Sequence, residues 1–258
     1  MRNNDLAVVV LSCDKFSSLW PLFFKRLDKN FPINCAKVYL LSNYIDVSVE
    51  SSNSVKVVCV GKDISWSANL RKLLIGISEP NVLLLMDDAP LSEAIETADF
   101  QFFYSSFIEH KMNYLNLKAS PAPNRNVGRH YGEIRPTTGY RTAVIPSFWR
   151  KDTLLDLLKD DESAWQFEVY GSKRSERYQG FFSVRKPFIA FDHIVIKGKI
   201  DRSIYTKLKN NDEHLGIDFP VMSLWEYVRE KANGARSLAL NHLLSDRILA
   251  FLRRIKYR

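Results

Sequence analysis

Four short apolar runs punctuate the first hundred residues: Leu6–Ser12 (LAVVVLS), Lys37–Ser42 (KVYLLS), Val55–Val60 (VKVVCV) and Asn81–Met86 (NVLLLM). The first and last show no polar alternation, the pattern of strands buried on both faces, and the middle two read as further strands. Helical patterns lie between them. One runs from Ser17 or Ser18, either able to cap it, to about Lys29, with Pro21 tolerated in its first turn. Another covers Ser65–Ser78 and sets Leu70, Leu73, Leu74 and Ile77 on one face. Strands alternating with helices bury both sheet faces only as an α/β sheet, mostly parallel and flanked by helices.

The pattern then changes. Ser92–Met112 reads as one helix with Leu91, Ile95, Ala98, Phe102 and Ile108 inward, and Tyr114–Lys118 as a strand. Ala119–Arg129 (ASPAPNRNVGR) is a loop by composition, and Tyr140–Pro146 is a strand candidate. Short helices are expected near Lys151–Leu158 and Ser163–Ser172, then extended chain over Phe181–Phe191 and Ile194–Ile196. The tail reads as two helices, Ser223–Lys231 and Ala235–Lys256, separated by a stop at Asn233-Gly234. In the second, Leu240, Leu244, Ile248, Phe251, Leu252 and Ile255 form an apolar stripe, with Arg247, Arg253, Arg254 and Lys256 off it. This divides the chain into a main domain, 1–220, and a basic amphipathic tail, 221–258.

Charge narrows the choice of partners. The chain of 258 residues carries a net +8, of which +5 falls between Val221 and Arg258. Such a balance suits an anionic partner. A nucleic-acid-binding protein is one rival, but the remaining basic residues are spread along the chain and no recognised nucleic-acid motif occurs, so no nucleic acid is expected. Cys13, Cys35 and Cys59 are odd in number and form no C-x-x-C, which supports neither a disulfide framework nor a zinc knuckle. With no signal-like segment and no long apolar run, a cytoplasmic protein is expected, peripheral at the inner face of the cytoplasmic membrane if the tail docks there. A dinucleotide fingerprint, P-loop, zincin motif and hydrolase elbow are all missing.

Four segments carry chemistry. Asp87-Asp88 closes the fourth strand, and in open α/β sheets ligands lie outside the carboxyl ends of the strands. Two adjacent carboxylates repel unless a cation or donor offsets them, and a hard divalent ion completed by substrate phosphates does so. Capping and solvation are the plainer reading of the same pair. In Trp165-Gln166-Phe167-Glu168 the two aromatics would anchor a segment that presents Glu168 beside an apolar wall, an arrangement that raises its pKa toward that of a useful base; an amphipathic helix start with an exposed Glu is the alternative. Asp192-His193 adds a metal-ligand candidate in His193, while Lys197 and Lys199 flank Gly198 as a phosphate clamp or as one solvated strand face. Ser12 and Asp14 follow the first strand where a nucleotide would lie, and Trp66 and Arg71 open the helix before the acidic pair.

Taken together, the Ser-Cys-Asp-Lys-Phe opening, YLLSN, WSANLRKLL, LLLMDDAPL, PSFWRKDTLLDLL and ESAWQFEVYGSKRS resemble the bacterial GT-A-type glycosyltransferases of surface-polysaccharide (capsule, O-antigen, lipopolysaccharide) synthesis, over about Val8 to Gly198. Asp87-Asp88-Ala89 departs from their usual Asp-x-Asp. The resemblance implies a GT-A-like, Rossmann-type sheet and a nucleotide-diphosphate sugar donor. It further implies Mn²⁺ or Mg²⁺ at Asp88, Asp87 facing the ribose or donor sugar, and Glu168 as the base for a glycan or lipid-linked acceptor. A degenerate transferase that binds nucleotide-sugar without turnover, and a nucleotidyltransferase, are the remaining rivals. An anionic membrane surface is the expected partner of the tail.

Overall fold

Branching at Cβ restricts valine's rotamers and suits it to a pleated surface that is covered on both sides. Leu6–Leu11 is such a strand, β1, buried along its whole length. Alternate residues serve opposite faces of the sheet: Leu6, Val8 and Val10 pack into one core, Ala7, Val9 and Leu11 into the other. The computed structural model describes residues 5–32, 36–52, 54–214 and 216–243, the last ten of these as backbone. Cys35 and the tail beyond residue 243, which holds most of the expected apolar stripe and Arg247, Arg253, Arg254 and Lys256, lie outside the described residues.

The elements follow in chain order. After β1 come α1 (Trp20–Asn30), β2 (Lys37–Ser42), β3 (Val55–Cys59), α2 (Trp66–Gly76), β4 (Asn81–Met86) and α3 (Thr97–Glu109). Short strands β5 (Tyr114–Asn116), β6 (Arg125–Asn126), β7 (Tyr131–Glu133) and β8 (Ser147–Arg150) precede α4 (Lys151–Leu157). A broken helix follows, α5 (Ala164–Gln166), a π turn over Phe167–Gly171 and α6 (Ser172–Arg174). The chain then forms β9 (Phe181–Val184), the hairpin β10 (Val195–Ile196) and β11 (Lys199–Ile200), α7 (Arg202–Asn210) and α8 (Leu224–Leu243).

Nine strands make one sheet in the order β3-β2-β1-β4-β8-β5-β9-β7-β6. Pairing is parallel from β3 to β4, β8 runs against both β4 and β5, and β9 is parallel to β5. The sheet is therefore mixed and mostly parallel, with β5 and β9 pointing the same way as β4. The carboxyl ends of β1, β2, β4, β5 and β9 share one edge, and the chain enters β8 from that edge. Strand order reverses between β1 and β4, which opens a crevice there. α1 and α3 cover one face, through Phe23, Phe24, Phe100 and Phe107, and α2 and α4 the other, through Leu70, Leu73, Leu154 and Leu157.

Several local expectations need correction. Neither Ser17 nor Ser18 caps α1, because a 3₁₀ turn over Asp14–Leu19 leads straight into it and Ser18 Oγ instead accepts from the Asp218 N–H. The helix expected over Ser92–Met112 begins at Thr97, since Leu91 is bridged to Phe191 as extended chain. That later start rotates its buried face to Phe100, Phe103, Tyr104 and Phe107, and leaves Ala98, Phe102 and Ile108 exposed. Tyr140–Pro146 is a turn segment, not a strand; the strand follows it as β8. Asn233-Gly234 does not stop the last helix, which runs through both residues.

Candidate functional site

The carboxyl edge of the sheet holds the chemistry. Ser12, one residue past β1, donates its hydroxyl to Asp87 Oδ2, one residue past β4, and accepts from Trp20 Nε1 at 2.7 Å. The same indole N–H also reaches Asp87 Oδ2, at 3.3 Å. Ser12 and Asp87 thus meet across the point where strand order reverses. Burial, and then the neighbouring Asp88, push the Asp87 pKa well above the ordinary value despite these donors.

Asp88 is buried too, and its Oδ1 has no hydrogen-bond partner among the described residues. Its carboxyl is pushed up to about 7 by burial. The Ile194 N–H donates to the Asp88 carbonyl at 2.7 Å, which brings His193 alongside, with Nδ1 4.0 Å from Asp88 Oδ2. Partial burial of the ring, and then the charge of Lys118, lower the His193 pKa. Among the described residues no three His, Cys, Asp or Glu side chains gather around one point. A hard divalent ion that takes one or two carboxylates and completes its shell with phosphate oxygens and water needs no such cluster. The unpartnered Asp88 oxygen fits an ion of that kind.

Beside the acidic pair a cavity of about 210 Å³ is lined by Ser12, Cys13, Phe16, Asp63, Trp66, Asn69 and Asp87 over a floor of Leu11, Leu41, Leu70 and Met86. Ser65 caps α2 by accepting the Ala68 N–H at 3.1 Å, so Trp66 and Asn69 project from the first turns of a well-started helix. Trp66 Nε1 and Asn69 Oδ1 are buried with no partner among the described residues, one a donor and the other an acceptor. The other end of the Asn69 amide donates to Asp63 at 2.7 Å. An unsatisfied buried donor and acceptor on an apolar-floored cavity are what a planar heteroaromatic ligand would satisfy.

Trp66 also connects this cavity to the third carboxylate. Its ring lies 5.4 Å from that of Phe167, which is fully buried, and Glu168 follows in the π turn. Trp165 is exposed, so Phe167, not the expected pair of aromatics, anchors the segment. Glu168 Oε1 accepts the Val144 N–H at 2.9 Å. Burial raises the Glu168 pKa, with that N–H and the charge of Lys118 opposing. Thr142 and Ser172 hydroxyls hold the turn from below, Thr142 Oγ1 on the Phe167 and Glu168 carbonyls at 3.3 and 3.4 Å. π turns inside helices recur at functional sites.

Other expected residues are placed differently. Asp14 ties two loops together, accepting from Ser42 Oγ at 2.8 Å and from the N–H groups of Asn43 and Tyr44 at 2.9 and 3.1 Å. Those donors outweigh its desolvation and hold its carboxyl below the usual range. Arg71 pairs with Asp160 and donates to the Leu155 and Leu158 carbonyls, clamping α2 to the chain after α4. Lys197 pairs with Glu230 and Lys199 with Glu226, both on α8. The structure therefore brings together Ser12, Trp66, Asp87, Asp88, His193 and Glu168, and engages Asp14, Arg71, Lys197 and Lys199 in contacts within the fold.

Trp20, Asp63, Asn69 and Lys118 were not expected. The strand-end rule could have nominated Asp63 and Lys118, which follow β3 and β5 on the same edge; nothing in the sequence points to Trp20.

Fold and cleft define an α/β protein with a cavity at the carboxyl ends of its parallel strands. No protein-family model and no curated protein matches the sequence. Among solved structures, S. aureus TarS is similar, with a TM-score of 0.47 at 12% identity over 72% of this chain and 36% of that one. TarS 1–349 in complex with UDP-GlcNAc gives a TM-score of 0.49 at 13% identity, over 72% and 57% of the two chains. TarS 1–349 in complex with UDP gives 0.49 at 12%, over 72% and 59%. The chain thus spans between about a third and three-fifths of the length of these structures.

Proposed function

We propose that this chain is a GT-A-type glycosyltransferase that moves a sugar from a nucleoside-diphosphate donor to an acceptor hydroxyl with inversion. The observation that carries this reading is the sharing of one sheet edge by three features: a cavity with an unpartnered donor and acceptor, a buried carboxylate pair, and a separate half-buried carboxylate with a raised pKa. The cavity takes the nucleoside, Trp66 Nε1 and Asn69 Oδ1 meeting polar edges of the base. Asp87, held by Ser12 and Trp20, faces the ribose or the sugar.

Glu168 removes the acceptor proton as that oxygen attacks the anomeric carbon from the side opposite the diphosphate. The Val144 N–H holds Oε1, so Oε2 is the oxygen that takes the proton. Raising a carboxyl pKa toward neutrality brings it closer to the hydroxyl it must deprotonate in the transition state. Mn²⁺ or Mg²⁺ at Asp88, with His193 beside it, would supply positive charge against the departing diphosphate.

A glycan or lipid-linked glycan is the acceptor class proposed, with an anionic membrane surface as the platform. No described helix is long and apolar enough to cross a membrane. α8 instead exposes Leu224, Trp225 and Val228 on neighbouring turns, with Arg229 and Lys231 close by in sequence. Apolar side chains flanked by basic ones suit the headgroup region.

The test is thermal stabilisation by uridine diphosphate, guanosine diphosphate and cytidine monophosphate, with and without Mn²⁺, on the parent and Asp88→Ala. A ligand at about 100 times its Kd adds ~2.7 kcal/mol. Metal-dependent stabilisation by one diphosphate, lost in Asp88→Ala, is expected. No response to any nucleotide would overturn the reading.

A further inference from the structure

We propose that Lys118 binds the diphosphate of the donor, the role the sequence had suggested for Lys197 and Lys199. This rests on the glycosyltransferase reading above. Lys118 lies two residues beyond β5, whose carboxyl end shares the sheet edge with that of β4 and its acidic pair. Its ammonium sits 5.1 Å from the centre of the Phe191 ring; that ring lies 6.3 Å from His193, and His193 is 4.0 Å from Asp88. The charge of Lys118 acts on both His193 and Glu168, so it lies within electrostatic reach of each. In an inverting transfer the diphosphate leaves from the face opposite Glu168, toward Asp88, and a cation on the His193 side of the cleft is placed to meet it there.

Two further features single it out. Among the described residues no carboxylate lies within ion-pair distance of Lys118, whereas Lys197 and Lys199 are each held by a glutamate of α8. Its backbone is also fixed: Asn116 Oδ1 accepts the Lys118 N–H at 2.8 Å, and Asn116 Nδ2 donates to the Ser120 carbonyl at 2.9 Å. Between them Ala119 adopts φ 59°, a left-handed conformation that a residue with a Cβ rarely takes. The Phe188 N–H closes the same turn on the Leu117 carbonyl at 2.9 Å. A lysine on a pinned turn, with its ammonium over an aromatic face and no described carboxylate to neutralise it, offers a point charge with three donors to an anion.

The experiment is calorimetric titration with uridine diphosphate, guanosine diphosphate and their nucleosides in the presence of Mn²⁺, on the parent, Lys118→Met, Lys118→Arg and the Lys197→Met/Lys199→Met double variant. Lys118→Met is expected to lose about tenfold or more in diphosphate affinity, the scale of one charge-assisted hydrogen bond, with nucleoside affinity unchanged. Lys118→Arg should keep most of the affinity. Unchanged diphosphate binding by Lys118→Met, or a larger loss in the double variant, would overturn the assignment to Lys118 and leave the glycosyltransferase reading in place. Failure of the parent to bind either diphosphate would overturn both.

Discussion

At Glu168 two effects oppose each other, and their balance sets what the residue can do. Desolvation against Phe167 and the surrounding core favours the neutral acid, while one backbone N–H and the charge of Lys118 favour the carboxylate. Desolvation wins, and the pKa rises. If Glu168 is the base, turnover falls as the pH drops through that raised value, above the ordinary range near pH ~4.5. Glu168→Gln keeps the shape and the Val144 contact but cannot take the proton, so turnover should fall by ~10²–10⁴-fold with donor affinity intact. Initial rates over a pH series decide it, and a variant within tenfold of the parent would remove Glu168 from the role. The sequence nominates Asp87 and Asp88 by their place after a strand and Glu168 by its aromatic neighbours, and the structure puts all three on the carboxyl-edge side of the sheet. The fates of Arg71, Lys197 and Lys199 were not legible in the sequence, because a basic side chain's partner is a long-range contact: Asp160 and Leu155 are more than eighty residues from Arg71.

Elements are joined by buried charge as well as by apolar packing. Arg26, on α1, donates to Asp192 at 2.7 Å and to Glu213 at 2.8 Å, and Lys207 of α7 adds a second cation to Asp192. This network fixes the segment that carries His193 against α1. Both carboxylates are desolvated, but their basic partners outweigh that and lower both pKa values. A lowered pKa contributes stability that is present above the unfolded-state value and lost as the pH falls through the folded one. Arg26→Met leaves two nearly buried carboxylates without their main partner, Asp192 keeping only Lys207 and Glu213 only Lys25, and should cost about 3 kcal/mol at neutral pH. Denaturant unfolding at pH 7 and below about pH 4 checks this: the gap between variant and parent should close on acidification, as the carboxylates protonate. A gap independent of pH would mean the loss is one of packing. At this scale the apolar periodicity of α2 was read correctly, and that of α3 was not. Leu91 and Ile95 are buried by strand and loop contacts outside the helix, and including them shifted the helical phase.

For the whole molecule, the order of strands converts distant segments into one site. Because β8 runs against both β4 and β5, the loop entering it lies on the same edge as the acidic pair and Lys118, and the Val144 N–H of that loop orients Glu168. The α8 end is built differently, tethered by Glu226 and Glu230 to the β10–β11 hairpin with Trp225 85% exposed. Replacing Leu224, Trp225 and Val228 by serine removes apolar surface without disturbing a buried contact, so folding should be unaffected. Co-sedimentation with phosphatidylglycerol vesicles should then fall by about tenfold or more, given ~1.5–3 kcal/mol for burying each such side chain. Equal sedimentation of the variant and the parent would reject membrane docking by this face.

The sequence by itself determined the parallel half of the sheet, the two-sided burial of β1 and β4, and the carboxylates at its edge. These follow from local chemistry: β-branched runs, helical periodicity and the charge of adjacent residues are properties of neighbours along the chain. Only the tertiary structure decided that Asp14, Arg71, Lys197 and Lys199 are engaged within the fold. Among the described residues, it alone left Lys118 without a carboxylate partner and Asp88 Oδ1, Trp66 Nε1 and Asn69 Oδ1 without hydrogen-bond partners. Whether a polar group is satisfied depends on what the fold brings within about 3 Å of it, and that distance is set by strand order and register.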